Sequence, residues 1–235
     1  MKKISYYHLN HSIEPKIVGN INDSEYNTQV DNFIDPENND ENRFDLYKGF
    51  NYYEHISKKL DLTKFKTHNK AKMTDCMSTR FFSTDGFFIS DKLSKLLNRF
   101  DLENSQLLDC LITNKDQHHN YYLLSFLDAK DIFNYKKSIF GIVSGLDKVD
   151  KSIELKFNDS EELKNKKKEL YFETNGENTI TPLKIILTKN VDLFKSSIDK
   201  SILISERLKN DIEKNKITGF DFKNRKTQTE FYEDF

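Results

Sequence analysis

Apolar and polar positions change period several times along this chain, and each change marks an element. Residues 3–9, Lys-Ile-Ser-Tyr-Tyr-His-Leu, have the β-branched and aromatic content of a strand. Residues 20–45 are instead rich in Asn, Asp and Glu around Pro36, and read as a long acidic loop or irregular arm. A helix is predicted around Tyr52–Leu60, within an otherwise weakly patterned span. Phe87-Phe88-Ile89 then reads as a short buried strand. Behind Ser90, the residues Leu93, Leu96, Leu97 and Phe100 recur at i, i+3, i+4 and i+7, the stripe of an amphipathic helix. Ser90 stands where a cap for the first amides is needed, Asp91 suits the positive end of the dipole, and Asn98 is the expected stop.

Residues 107–113 and 121–127 are two strand-like runs, and the polar link Asn114–Asn120 predicts an antiparallel hairpin. A loop is expected over Asp128–Tyr135 and a strand over Ile153–Phe157. Ser160 opens a lysine-rich helix with Glu161 and Glu162 in its first turn, and Leu183–Leu187 is another apolar strand. An earlier pattern then returns. Leu203-Ile204-Ser205-Glu206-Arg207-Leu208 repeats Phe88-Ile89-Ser90-Asp91-Lys92-Leu93 after 115 residues. In both, an apolar strand end meets Ser, an acid, a base and Leu, so Ser205 is the second expected helix cap. That spacing is too long for a solenoid and implies duplication within one domain. Ile217–Phe222 is expected as a last strand. Together the elements predict an α+β fold: a mainly antiparallel or mixed sheet, packed helices and two strand–Ser–helix units.

Composition adjusts this picture in three ways. Apolar residues are only 36% of the 235, but 19 Phe and 11 Tyr supply a core, since each buried ring removes roughly 150–250 Å² from water. The 37 basic residues are balanced by 38 acidic ones, so no bulk field draws the chain to nucleic acid or a membrane. The local balance differs. Between 31 and 45, six acids face only Arg43. That makes Asp35, Glu37, Asp40 and Glu41 the candidate contact for a basic partner, against the plainer reading of a solvated loop. Cys76 and Cys110 are too few for a disulfide framework, and no apolar run approaches the ~18 residues of a membrane span. The expected location is the cytoplasm.

The common chemistries find little support. Gly141-Ile-Val-Ser144-Gly145 lacks the Gly-x-Ser-x-Gly spacing of a nucleophile elbow, and no phosphate-cradling glycine loop exists. The His118-His119 pair has no nearby cysteine, so no metal site or cofactor is expected. The cluster Lys164, Lys166, Lys167 and Lys168 is flanked by Glu161, Glu162 and Glu169, which suits a solvated helix face better than a nucleic-acid groove. The strongest enzymatic rival is a Mg²⁺-dependent nuclease of the Asp…Glu-x-Lys type, with Glu154-Leu155-Lys156 behind Asp147 and Asp150. Three Glu-x-Lys matches occur, led by Glu14, Glu154 and Glu162, where composition alone gives about two. The motif is background.

Four segments in order carry a resemblance. They are Met73-Thr74-Asp75-Cys76; Gly86-Phe87-Phe88-Ile89-Ser90-Asp91-Lys92-Leu93; Tyr121-Tyr122-Leu123-Leu124 with Asp128; and Ile202–Leu208 through Thr218-Gly219-Phe220. In that order and spacing the chain resembles the bacterial polymorphic-toxin immunity proteins, in the eleventh numbered immunity family, formerly a domain of unknown function. The resemblance divides the chain into a variable N-terminal part with the acidic loop, 1–72, packed on an immunity-family module, 73–235. It implies a non-catalytic protein whose partner is a cognate secreted toxin, and it brings no catalytic residue with it.

Overall fold

A computed structural model describes residues 1–21, 29–33, 62, 65–78, 86–144, 148–222 and 229–234. The helix expected at Tyr52–Leu60 lies outside them. In chain order the first elements are β1 (Lys2–Ile4), β2 (Tyr6–His8), β3 (Asn10–His11), α1 (Pro15–Val18), β4 (Val30–Phe33), β5 (Phe65–Thr67), β6 (Cys76–Met77) and β7 (Gly86–Ser90). Then come α2 (Asp91–Leu97), β8 (Ser105–Asn114), β9 (Gln117–Phe126), β10 (Asp128–Ala129), β11 (Ile139–Ser144) and β12 (Lys148–Leu155). The remainder is α3 (Ser160–Glu173), β13 (Asn178–Leu187), β14 (Leu193–Ser196), β15 (Ile202–Ser205), α4 (Glu206–Lys214), β16 (Phe220–Asp221) and β17 (Glu230–Glu233). The fold is α+β, with mixed and antiparallel sheets.

The hairpin of β8 and β9 is the longest antiparallel pairing, running from Ser105↔Phe126 to Asn114↔Gln117. Leu108, Cys110 and Ile112 alternate inward from β8, the period of a strand with one buried face. Its turn is shorter than the polar link suggests. Only Lys115 and Asp116 lie outside the strands, both left-handed at φ 47° and 65°, which matches the twist of a two-residue hairpin. His118 and His119 therefore belong to β9 rather than to a loop. Because neither turn residue is glycine, Asp116→Gly is expected to raise stability by about 1 kcal/mol, read as a higher urea midpoint.

Other boundaries move for identifiable reasons. The strand expected at 3–9 is cut into β1, β2 and β3, which pair with three different partners: β17, β15 and β16. The acidic arm is not all loop, since Val30 is fully buried and β4 pairs antiparallel with β5. Asp128–Tyr135 contains β10 and buries Ala129, Ile132, Phe133 and Tyr135. Ser160 does open α3, and the cap before it is Asp159, whose Oδ1 accepts the amides of Glu161 and Glu162 at 2.9 Å each. The strand expected at Ile217–Phe222 shrinks to β16. Gly219 has φ +98°, and a Cβ there would lie 2.0 Å from the Cys76 carbonyl oxygen, so the chain turns where it crosses β6. The final strand among the described residues is β17.

One sheet runs β4-β5-β8-β9-β7-β6. The same order is rebuilt by β11-β13-β17, then β1 and β2, then β15-β14. The correspondence is detailed. β5 pairs parallel with β8, and β13 parallel with β17. β8 pairs antiparallel with β9, and β17 antiparallel with β1. Ser90 lies opposite Tyr121, and Ser205 opposite Tyr6. Tyr6-Tyr7 and Tyr121-Tyr122 stand 115 residues apart, as do Ser90 and Ser205. The second arrangement is thus completed by β1 and β2 from the N-terminus, whereas the first is built wholly from strands between Val30 and Phe126. The helices meet between them: Leu93, Leu96 and Leu97 of α2 and Leu208 and Ile212 of α4 share one buried cluster with Ile89 and Ile204.

Candidate functional site

Where β7 becomes α2, Ser90 has extended backbone and its Oγ accepts the amide of Leu93 at 3.2 Å, meeting one orphan donor of the first turn. The same hydroxyl donates to Asp75 Oδ1 at 2.7 Å. Asp75 Oδ2 accepts the Thr218 amide at 2.9 Å and its hydroxyl at 3.0 Å, and Lys92 Nζ lies 3.8 Å away. Ser205, where β15 becomes α4, is built alike. Its Oγ accepts the amide of Leu208 at 3.1 Å and donates to Asp192 Oδ1 at 2.6 Å. Asp192 then accepts the Asp101 amide at 3.1 Å and both arms of the Arg207 guanidinium.

These junctions are crossed. Asp75 precedes α2, yet holds Thr218, the exit of α4; Asp192 precedes α4, yet holds Asp101, the exit of α2. A tyrosine backs each one. Tyr121 Oη donates to the carbonyl of Thr74 at 2.8 Å, and Tyr6 Oη to that of Val191. Burial, then a carboxylate nearby, pushes both phenols up, so both remain donors. Burial alone would raise Asp192, but hydrogen bonds from Arg207, Ser205 and the Asp101 amide outweigh it, and its carboxyl is held below the usual range. Every carboxylate oxygen here is engaged by the protein itself. The junctions hold helices in place.

Burial also raises both thiols, Cys76 far above its ordinary value with Asp75 adding to the effect, so neither is a nucleophile. Glu154 is exposed on β12 and Lys156 is exposed just past it, while Asp147 lies outside the described residues. Among the described residues no group of three or more His, Cys, Asp or Glu could hold a metal ion. No described helix is long and apolar enough to cross a membrane. Asp35, Glu37, Asp40 and Glu41 also lie outside the described residues, so the structure places none of them.

Two surface features escaped the sequence reading. Beside α4, a cleft of about 320 Å³ is lined by Glu14, Ile17, Glu213, Phe220 and Phe222. Its own Lys209 reaches into it, 2.7 Å from Glu213 Oε1 and 5.2 Å from the ring of Tyr7. On α3, Leu163 and Leu170 face inward, and the Lys167 ammonium reaches the carbonyl of Ile198. Phe172 lies on the opposite side and Tyr171 on the flank, exposed by 67% and 59%. The lysine cluster is divided by this arrangement. Lys166 pairs with Glu169 at 2.8 Å, whereas Lys164 and Lys168 form no ion pair with any described residue.

The model of the family described as Immunity protein family (Imm11) matches residues 12–227, which takes in the junctions, α3 and the N-terminal stretch containing the arm. A search of curated proteins finds no match.

Proposed function

Because the chain belongs to the Imm11 immunity protein family, we propose that it protects its producer in the bacterial cytoplasm by binding one cognate secreted toxin, stoichiometrically and without turnover or cofactor. The family match over 12–227 is the observation that carries this reading. The hydrogen-bonded junctions brace a scaffold on which a binding surface can be carried. Within the N-terminal part, 1–72, the arm residues Asp35, Glu37, Asp40 and Glu41 are the proposed contact for a basic toxin surface. Such charges act chiefly on the rate of encounter.

Cells producing the toxin domain encoded beside this gene should survive when the protein is co-produced, with purified toxin titrated to silence at about one equivalent. Silencing far below one equivalent would show turnover and end the non-catalytic reading. Reversing the four arm acids to Lys should slow association by roughly tenfold or more, most at low salt. An unchanged association rate would remove the arm from the interface. With Mg²⁺ and plasmid or RNA, the purified protein should leave the nucleic acid intact; cleavage abolished by Glu154→Ala would put the nuclease reading in its place.

A further inference from the structure

We infer that the outer face of α3, with Phe172 and Tyr171 as anchors and Lys164 and Lys168 beside them, seats in an apolar hollow rimmed by carboxylates on the toxin. This rests on the toxin-binding reading above and names a surface for it. The other exposed large apolar residues among those described are Met1, Ile13 and Ile153, none adjacent to another in sequence. Tyr171 and Phe172 are neighbours on a helix that neither folding nor solubility requires to carry them. Aromatic side chains are poorer helix formers than the Lys and Glu around them. Nor can the helix roll to hide them, because Leu163, Leu170 and the Lys167–Ile198 hydrogen bond fix its inner face.

The pair is also ordered in advance. The two rings meet edge to face, 5.7 Å apart at 85°. Gly176, at φ +82°, donates its amide to the Tyr171 carbonyl at 2.7 Å and closes under the ring; a Cβ there would lie 2.9 Å from Tyr171 Cε2. Rings held this way lose little freedom on binding, which is how rigid aromatic anchors come to dominate an interface. Charge sets the occupant. Lys164, Lys168 and Phe172 follow one another at four-residue intervals, so the two cations lie along one helical line leading to the ring. Carboxylates on the partner complement that line. A two-fold contact with a second copy, centred on it, would set Lys168 against Lys168. Nucleic acid is disfavoured by Glu161, Glu169 and Glu173 on the same helix.

The test uses the full-length protein and the toxin domain encoded beside its gene, measured by surface-immobilised binding kinetics. Phe172→Ala should weaken binding at least about 30-fold and Tyr171→Ala about tenfold, mainly through faster dissociation. Lys164→Glu with Lys168→Glu should slow association about tenfold and flatten its salt dependence. Phe172→Ala should melt at the wild-type temperature, since the ring is mostly in water; it is the decisive variant because Tyr171→Ala also loosens the turn at Gly176. Unchanged affinity in Phe172→Ala, with wild type binding, overturns the surface while leaving the toxin-binding reading intact. No binding by wild type overturns both. A wild-type dimer in sedimentation that Phe172→Ala dissolves would make a second copy the occupant and overturn the proposal.

Discussion

Asp192→Ala is expected to destabilise the protein by about 3 kcal/mol, seen as a lower urea midpoint. Breaking a buried charge pair from one side typically costs ~3–5 kcal/mol. The lower end applies because the Arg207 side chain is 58% exposed and can rehydrate, while the Asp192 side chain is 1% exposed. The remaining loss comes from the groups left behind: the Ser205 hydroxyl and the Asp101 amide both lose their acceptor. Arg207→Ala should cost less, since those two bonds survive. The pH dependence follows from the depressed carboxyl of Asp192. A group whose folded pKa lies below its unfolded value contributes fully above about pH 3.9 and loses that contribution as pH falls through the folded value. The stability gap between wild type and Asp192→Asn should therefore narrow below about pH 4 and stay constant near neutrality. A gap independent of pH would mean that the charge of Asp192 contributes nothing.

Cutting the chain in the β8–β9 turn, between Lys115 and Asp116, should give two pieces that do not fold alone but assemble when produced together. Residues 1–115 would retain β1 and β2 without their partners β17 and β15, and 116–235 would retain β9 without β7 or β8. Each piece then exposes sheet edges and half of the cluster shared by α2 and α4. Co-production should yield a 1:1 complex with the circular dichroism of the intact chain, whereas either piece alone should lack cooperative melting. Independent folding of 116–235 would show that β1 and β2 are dispensable.

The parts of this architecture legible in the sequence are those decided by near neighbours. The short apolar runs 107–113 and 121–127 mark two strands because the polar link Asn114–Asn120 separates them. Asn98 ends α2 as its polar side chain suggests, which leaves Phe100, counted in the apolar stripe, just outside the helix. What the chain hides is long-range. Tyr6 pairing with Ser205 leaves no local trace, so residues 3–9 read as one strand although they serve several partners. Asp192 shares with Asp75 only the aspartate itself, and its role depends on Ser205 and Arg207, 13 and 15 residues on, and on Asp101, 91 residues back. The one available signal was the second Tyr-Tyr pair, at the same 115-residue displacement as the serines. The α3 face was missed for a different reason. Aromatic residues on a helix ordinarily mark its buried side, and only the inward anchoring of Leu163, Leu170 and Lys167 shows that Tyr171 and Phe172 point outward.

The pairing of N-terminal strands with late ones also sets a timetable. During synthesis β2 emerges early, but its partner β15 is made nearly 200 residues later. At ~5–20 residues per second the ribosome needs roughly 10–40 s to cover that distance. Through this interval Tyr6 and its neighbours have no strand to join, although the sheet β4-β5-β8-β9-β7-β6 is already complete. A nascent chain that stalls before Ser205 therefore holds the first sheet without the second, and protection would begin only after β15 has left the ribosome.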